Sequence, residues 1–136
     1  MKIILVDNEA IQISNLQKQV ERILPSATIF IATKFDKAFE IIKKHPKDAM
    51  LFCSKDLPGV DGIAFFEKLN SEKLVQNYLF VLTYSSLPQS QKKLAVKAGV
   101  DRFLPKPFQI EDLLPILKNG EQMISSVQQT QKAKED

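Results

Sequence analysis

Residues 49–62 read AMLFCSKDLPGVDG. An apolar run from Ala49 to Cys53 gives way to Ser54, Lys55 and Asp56, then to Pro58–Gly59 and Asp61–Gly62. An unbroken apolar block of this length predicts a strand covered on both faces. The Pro58–Gly59 pair marks a turn that holds polar groups in a cleft. Asp61, placed before the apolar positions Phe65, Phe66 and Leu69, is suited to cap a helix.

The same strand-turn-helix unit recurs on either side. IILV (3–6) is a first strand, followed by helical spacing at Ile13, Leu16, Val20, Ile23 and Leu24 until Pro25 and Ser26. TIFIA (28–32) is a second strand. Phe35, Ala38, Phe39 and Ile42 mark a helix that runs to about His45, where Pro46 stops it. YLFVLT (78–83) is a fourth strand, and the helix after Pro88 ends at Ala98 with Gly99 placed to cap it. RFL (102–104) is a fifth strand, and a last helix begins near Gln109.

Five such units predict an α/β domain with a doubly wound, five-stranded parallel sheet, helices on both faces and right-handed crossovers. Pro115 falls inside the last helix, where the missing backbone N–H should kink it. Gly120 is a second weak point. The expected boundaries are a domain over 1–122 and a helix end with a polar tail over 123–136. That tail is expected to be partly disordered, since QQTQKAKED from Gln128 has no apolar period.

A chain of 136 residues is one domain's worth, with 44% hydrophobic and 26% charged residues. The excess of 19 Lys+Arg over 16 Asp+Glu, a formal +3, is too mild to imply a nucleic-acid partner. Pairs such as Lys43–Lys44 and Lys92–Lys93 read as solvated helix faces. The lone Cys53 has no internal disulfide partner, and its apolar setting predicts a buried, inert thiol in a reducing cytoplasm. No stretch is long and apolar enough for a signal-peptide core or a bilayer span, so no membrane partner is expected.

In an open parallel sheet, ligands bind beyond the carboxyl ends of the strands. The residues at those ends are Asp7–Asn8–Glu9, Ser54–Lys55–Asp56, Thr83 and Lys106–Pro107. ILVDNE (4–9), DLPGVDG (56–62), VLTYSS (81–86) and AGVDRFLPKPF (98–108) occur in that order over roughly residues 1–120. Together they make the chain similar to the receiver domain of bacterial two-component response regulators, the CheY-like family. The resemblance implies the flavodoxin-like strand order 2-1-3-4-5.

It also implies roles. Two adjacent acids after the first strand would help hold Mg²⁺, and Asp7 matches the first of them. An aspartate ending the third strand would accept a phosphoryl group. Thr83 and Lys106 match the hydroxyl and ammonium that grip the phosphoryl oxygens. Phe103 matches the aromatic that swings inward, and the Lys106–Pro107 bond would be cis. Each residue also has a plainer reading. Thr83 can satisfy a strand-end backbone group, Phe103 can be core, Asp101 can serve the turn before the fifth strand, and His45 can be a solvated helix-end residue.

Two positions depart from the family pattern. Asn8 stands where the second acid belongs, and Ser54, four residues before Pro58, stands where the accepting aspartate belongs. With Asp7 facing Lys106 and two neutral neighbours, the formal balance of the pocket is expected to be zero. Loss of two of three anionic partners should weaken Mg²⁺ binding by several kcal/mol. No metal or other cofactor is therefore expected, and a direct Asp7–Lys106 ion pair should take its place. A serine hydroxyl needs a neighbouring base to act as a nucleophile. Asp56, two residues beyond Ser54, would point to the same face in a continuing strand and is the alternative acceptor.

These readings predict a stand-alone, non-enzymatic signalling module that binds a protein partner without phosphorylation. The partner would be a histidine kinase or an output protein, and the domain a monomer or weak dimer. The contact surface implied is the fourth helix, fifth strand and fifth helix, about 88–120, with Leu87, Pro88, Leu94, Val100 and Phe108 as apolar contacts. The rival expectation is a phospho-accepting receiver in a phosphorelay, using Asp56 or Ser54 with Mg²⁺. Flavin or nucleotide binding on the same architecture lacks a Gly-rich or Ser/Thr phosphate cradle after the first strand.

Overall fold

The computed structural model describes residues 1–45, 49–57, 59–75 and 78–135, with side chains to Met123. In chain order the elements are β1 (Lys2–Val6), α1 (Ala10–Ile23), β2 (Thr28–Ala32), α2 (Phe35–Lys44) and β3 (Ala49–Ser54). They continue with β4 (Asp56–Leu57), β5 (Val60–Asp61), α3 (Gly62–Ser71), β6 (Tyr78–Tyr84), α4 (Gln89–Ala98), β7 (Phe103–Pro105) and α5 (Ile110–Glu135). The main sheet is parallel, in the order β2-β1-β3-β6-β7, which is the expected 2-1-3-4-5 order counted over its own five strands. The last strand starts one residue later than expected, at Phe103.

The extra pair, β4 and β5, is a short antiparallel hairpin where the Pro58–Gly59 pair predicts only a turn. Pro58, which falls between the two strands in sequence, lies outside the described residues, as does Pro46.

Side chains along each strand alternate between two apolar layers, as the period of two requires. Ile3, Leu5, Met50, Phe52, Leu79, Val81 and Leu104 pack under α1 and α5, against Leu16, Val20, Leu113 and Leu117. Ile4, Val6, Leu51, Cys53, Phe80 and Leu82 pack on the other face under α2, α3 and α4, against Ile42, Phe65, Phe66, Leu69 and Ala95. Near-complete burial of the central strands is why they read as continuous apolar runs.

Two glycines set how closely helices approach the sheet. A Cβ on Gly62 would lie 2.5 Å from the Ser54 carbonyl oxygen and 2.9 Å from Leu82 Cδ1, so α3 can start hard against the end of β3. A Cβ on Gly120 would lie 2.6 Å from Met50 Sδ and 2.9 Å from Leu79 Cδ2. Gly120 therefore packs against side chains of the sheet, and α5 runs through it without the break expected of a weak point. Helix α5 contains Pro115, and its helical backbone continues to Glu135, through the segment read as a polar tail.

The remaining helix ends follow local chemistry. Asp61 Oδ1 accepts from the Ala64 N–H at 2.8 Å and caps α3. Gly99 closes α4 in the left-handed conformation, with φ of 114°. His45 ends α2 and is half-buried, its ring 4.6 Å from that of Phe30, so it is not the solvated residue expected. The Tyr78 hydroxyl donates to the Ile42 carbonyl at 2.8 Å and also meets the His45 carbonyl, tying the end of α2 to the sheet.

Candidate functional site

Four rows of the α1/α5 layer each end in a polar residue. Leu5 is followed two residues later by Asp7, Phe52 by Ser54, Val81 by Thr83 and Leu104 by Lys106. Strand alternation thus delivers all four side chains to one face at the carboxyl edge of the sheet. Ser54 and Thr83 are direct register partners across β3 and β6. Asp7, Ser54 and Thr83 are all buried, and the side chain of Lys106 is 3% exposed.

Lys106 organises the cluster. Its Nζ lies 2.8 Å from Asp7 Oδ2, donates to Ser54 Oγ at 3.1 Å, and lies 3.4 Å from Glu9 Oε1. The other oxygen of Asp7, Oδ1, accepts from the Glu9 N–H at 3.1 Å. The Ser54 hydroxyl donates to the Asp56 carbonyl at 3.3 Å. It therefore receives a hydrogen bond from an ammonium and gives its proton to an amide oxygen, which is not a base. The Lys106–Pro107 peptide bond is cis.

Glu9 corrects the expected charge balance. Two carboxylates, Asp7 and Glu9, face one ammonium, so the local sum is minus one instead of zero. Glu9 is 53% exposed on its side chain, so water screens much of its contribution. Its place at the head of α1 was on view in the sequence, but its reach back to Lys106 depends on the helix axis.

Asp56 does not join Ser54 on the pocket face. The strand ends at Ser54, and the Gly62 N–H donates to the Lys55 carbonyl at 2.7 Å, turning the chain into the β4–β5 hairpin. The Asp56 side chain is consequently 70% exposed at the rim. Asn8 is also exposed. Phe103 is half-buried against the opposite apolar layer, with the Lys92 ammonium 5.6 Å from its ring centroid. Asp101 pairs with Arg102 at 3.0 Å.

Cys53 is fully buried; burial pushes its thiol pKa up, and the Asp7 carboxylate adds to the shift. Lys55 stands between Ser54 and Asp56 in sequence but does not join the pocket. It is 7% exposed and points into the other layer, where its Nζ donates to Gln91 Oε1 at 2.7 Å.

The expected partner face is revised in two places. Val100 and Phe108 are core residues, 2% and 4% exposed, because the connections after α4 and β7 turn them into the two apolar layers. Leu94 is 59% exposed, Pro88 is exposed and Leu87 half-buried. Val96 and Ile110, not singled out from sequence, are also open to solvent.

The family model of the response regulator receiver domain matches residues 3–118. The chain belongs to that family. This receiver domain is 31% identical over 91 residues to the probable transcriptional regulator ycf29 of Cyanophora paradoxa, a match covering 64% of this chain and 41% of that relative. The chain thus spans less than half the length of that relative.

Among solved structures, the signal receiver domain of the DNA-binding response regulator merR from Colwellia psychrerythraea 34H has a TM-score of 0.79 at 18% identity. That similarity covers 88% of this chain and 96% of that one. The receiver domain of Ssk1 from Saccharomyces cerevisiae, solved with the histidine phosphotransfer signaling protein Ypd1, has a TM-score of 0.75 at 18% identity, with 91% of each chain covered. At such identities the two structures share the fold. Receiver domains are signalling modules that interact with protein partners such as phosphotransfer proteins and kinases. No helix among the described residues is long and apolar enough to cross a membrane.

Proposed function

We propose that this receiver domain is a protein-interaction module that signals without phosphorylation at the usual position. One observation carries the reading: the residue at the acceptor position is Ser54, and its hydroxyl is held between the Lys106 ammonium and the Asp56 carbonyl. A hydroxyl in that setting directs its proton at a carbonyl oxygen and its lone pair at a cation, while the Asp7 carboxylate of the cluster is engaged by Lys106 instead.

The residues present do not fit Mg²⁺. The ion favours several oxygen donors in near-octahedral array and gives up water reluctantly. Here the one buried carboxylate, Asp7, already pairs with an ammonium, and the neighbouring Asn8 is exposed. Among the described residues, no three His, Cys, Asp or Glu side chains converge as a ligand group.

Partner binding is assigned to the surface of α4, β7 and the start of α5. Val96 and Ile110 supply exposed apolar side chains there, while Leu94 opens on the α3 side beside Glu67 and Asn70; a histidine kinase or an output protein is the class of partner. Intact-mass measurement after incubation with acetyl phosphate and Mg²⁺ tests this reading. The wild-type chain stays unmodified, whereas the Ser54→Asp, Asn8→Asp variant gains one phosphoryl group. A phosphoryl group on wild-type Asp56 or Ser54 would instead support a phospho-accepting relay.

A further inference from the structure

The pocket chemistry leaves Lys55 unused, yet few lysines are held so far from water. Lys55 follows Leu51 and Cys53 on the face beneath α3 and α4, and its side chain is only 9% exposed. Its Nζ donates to Gln91 Oε1 at 2.7 Å, and Asp56 Oδ1 is at 3.8 Å on a carboxylate 70% exposed. An enclosed ammonium needs partners, and here the close one is a neutral amide on α4. Hydrogen bonds with an ionised donor are the stronger kind.

Gln91 is the third residue of α4, whose only buried residue is Ala95. Pro88 at its N-cap offers no side-chain cap, and its first turn carries no acid. The first turn of α4 therefore lacks the fastening that Asp61 gives α3. Two consecutive residues supply it from outside: Gln91 reaches Lys55, and Lys92 lies over Phe103. Lys55 directly follows Ser54, and Phe103 lies three residues before Lys106, so both ties run to the edge of the pocket.

We propose that the Lys55–Gln91 bond is a latch that sets the position of the first turn of α4 relative to the pocket. The latch has a second resting place. Asp56, Asp61 and Glu67 line the same cleft as Lys55 and Gln91, beside Ile63, Ala64 and Leu94, so an ammonium released by Gln91 has carboxylates to meet within that cleft. Opening thus trades one acceptor for another and lets α4 shift, carrying Leu94 and Val96 with it. The latch itself stands on these contacts; that its movement regulates partner binding rests on the interaction reading above.

Hydrogen exchange of the full chain, without partner or phosphoryl donor, tests the latch. Lys55→Met and Gln91→Leu should each raise exchange of the α4 amides about tenfold, the effect expected of one hydrogen bond to a charged group. The double variant should exchange no faster than either single one. Gln91→Glu, which gives the ammonium an anionic acceptor, should slow exchange below wild type. Unchanged α4 exchange in the Gln91 variants, or multiplied effects in the double variant, would overturn the latch. Gln91 is exposed, so its variants keep the test open if Lys55→Met does not fold. Because no phosphoryl group or partner enters, the latch can fail while the interaction reading stands, and the reverse.

Discussion

Lys106 reaches across the end of β6 to donate to Ser54 Oγ at 3.1 Å, while its ammonium lies 2.8 Å from Asp7 Oδ2. One side chain thus occupies the centre of the cluster and engages a residue from each flanking turn. The pair is nearly dry, with side-chain exposures of 3% for Lys106 and 9% for Asp7. Much of what the pocket can and cannot do follows from that contact.

Removing the cation should be costly. Lys106→Met leaves Asp7 buried with no counter-charge, and breaking such a pair destabilises by about 3–5 kcal/mol. Urea unfolding of Lys106→Met should show that loss, and adding Asp7→Asn should recover much of it because the stranded charge is gone. Equal stability of the two variants would mean that Asp7 is solvated and the pair unimportant.

Gly120→Ala separates helix propensity from packing. Propensity alone favours alanine inside a helix by up to about 1 kcal/mol. The new Cβ, however, would meet Met50 Sδ at 2.6 Å, and Met50 is fully buried. Overpacking of this kind costs about 1–3 kcal/mol, so net destabilisation is expected in chemical denaturation. A gain in stability would show that the ends of Met50 and Leu79 give way without penalty.

The order of polar residues along the sheet edge was legible because a strand's period of two is rigid. Once Leu5, Phe52, Val81 and Leu104 belong to one layer, Asp7, Ser54, Thr83 and Lys106 follow on the same side. The limits of that rule explain the misses. Asp56 has the right parity, but β3 ends at Ser54 and a hairpin intervenes. Glu9 and Lys55 were visible as residues, yet their contacts depend on where helices α1 and α4 lie, which no local spacing encodes. Val100 and Phe108 read as surface contacts because they sit in connections, where burial depends on chain direction after the turn.

Tyr78 predicts a pH dependence. Burial raises its pKa from the ordinary 10.0 to about 12. The folded pKa lies above the unfolded one, so this contribution to stability is complete below about pH 10 and is lost as pH rises toward about 12. Stability of the wild type should fall more steeply than that of Tyr78→Phe across this window. At neutral pH the variant should be less stable by about 1 kcal/mol for the lost hydrogen bond to the end of α2. Parallel curves would show that the hydroxyl is already open to water.

In the function proposed, Lys106, Asp7 and Ser54 satisfy one another and leave no site for Mg²⁺ or a phosphoryl group. Amide NMR during titration with beryllofluoride and Mg²⁺ reads this directly. The wild-type signals of Asp7, Ser54, Thr83 and Lys106 should not move, while those of the Ser54→Asp, Asn8→Asp variant should shift and saturate. Saturable shifts at these positions in the wild-type chain would contradict it.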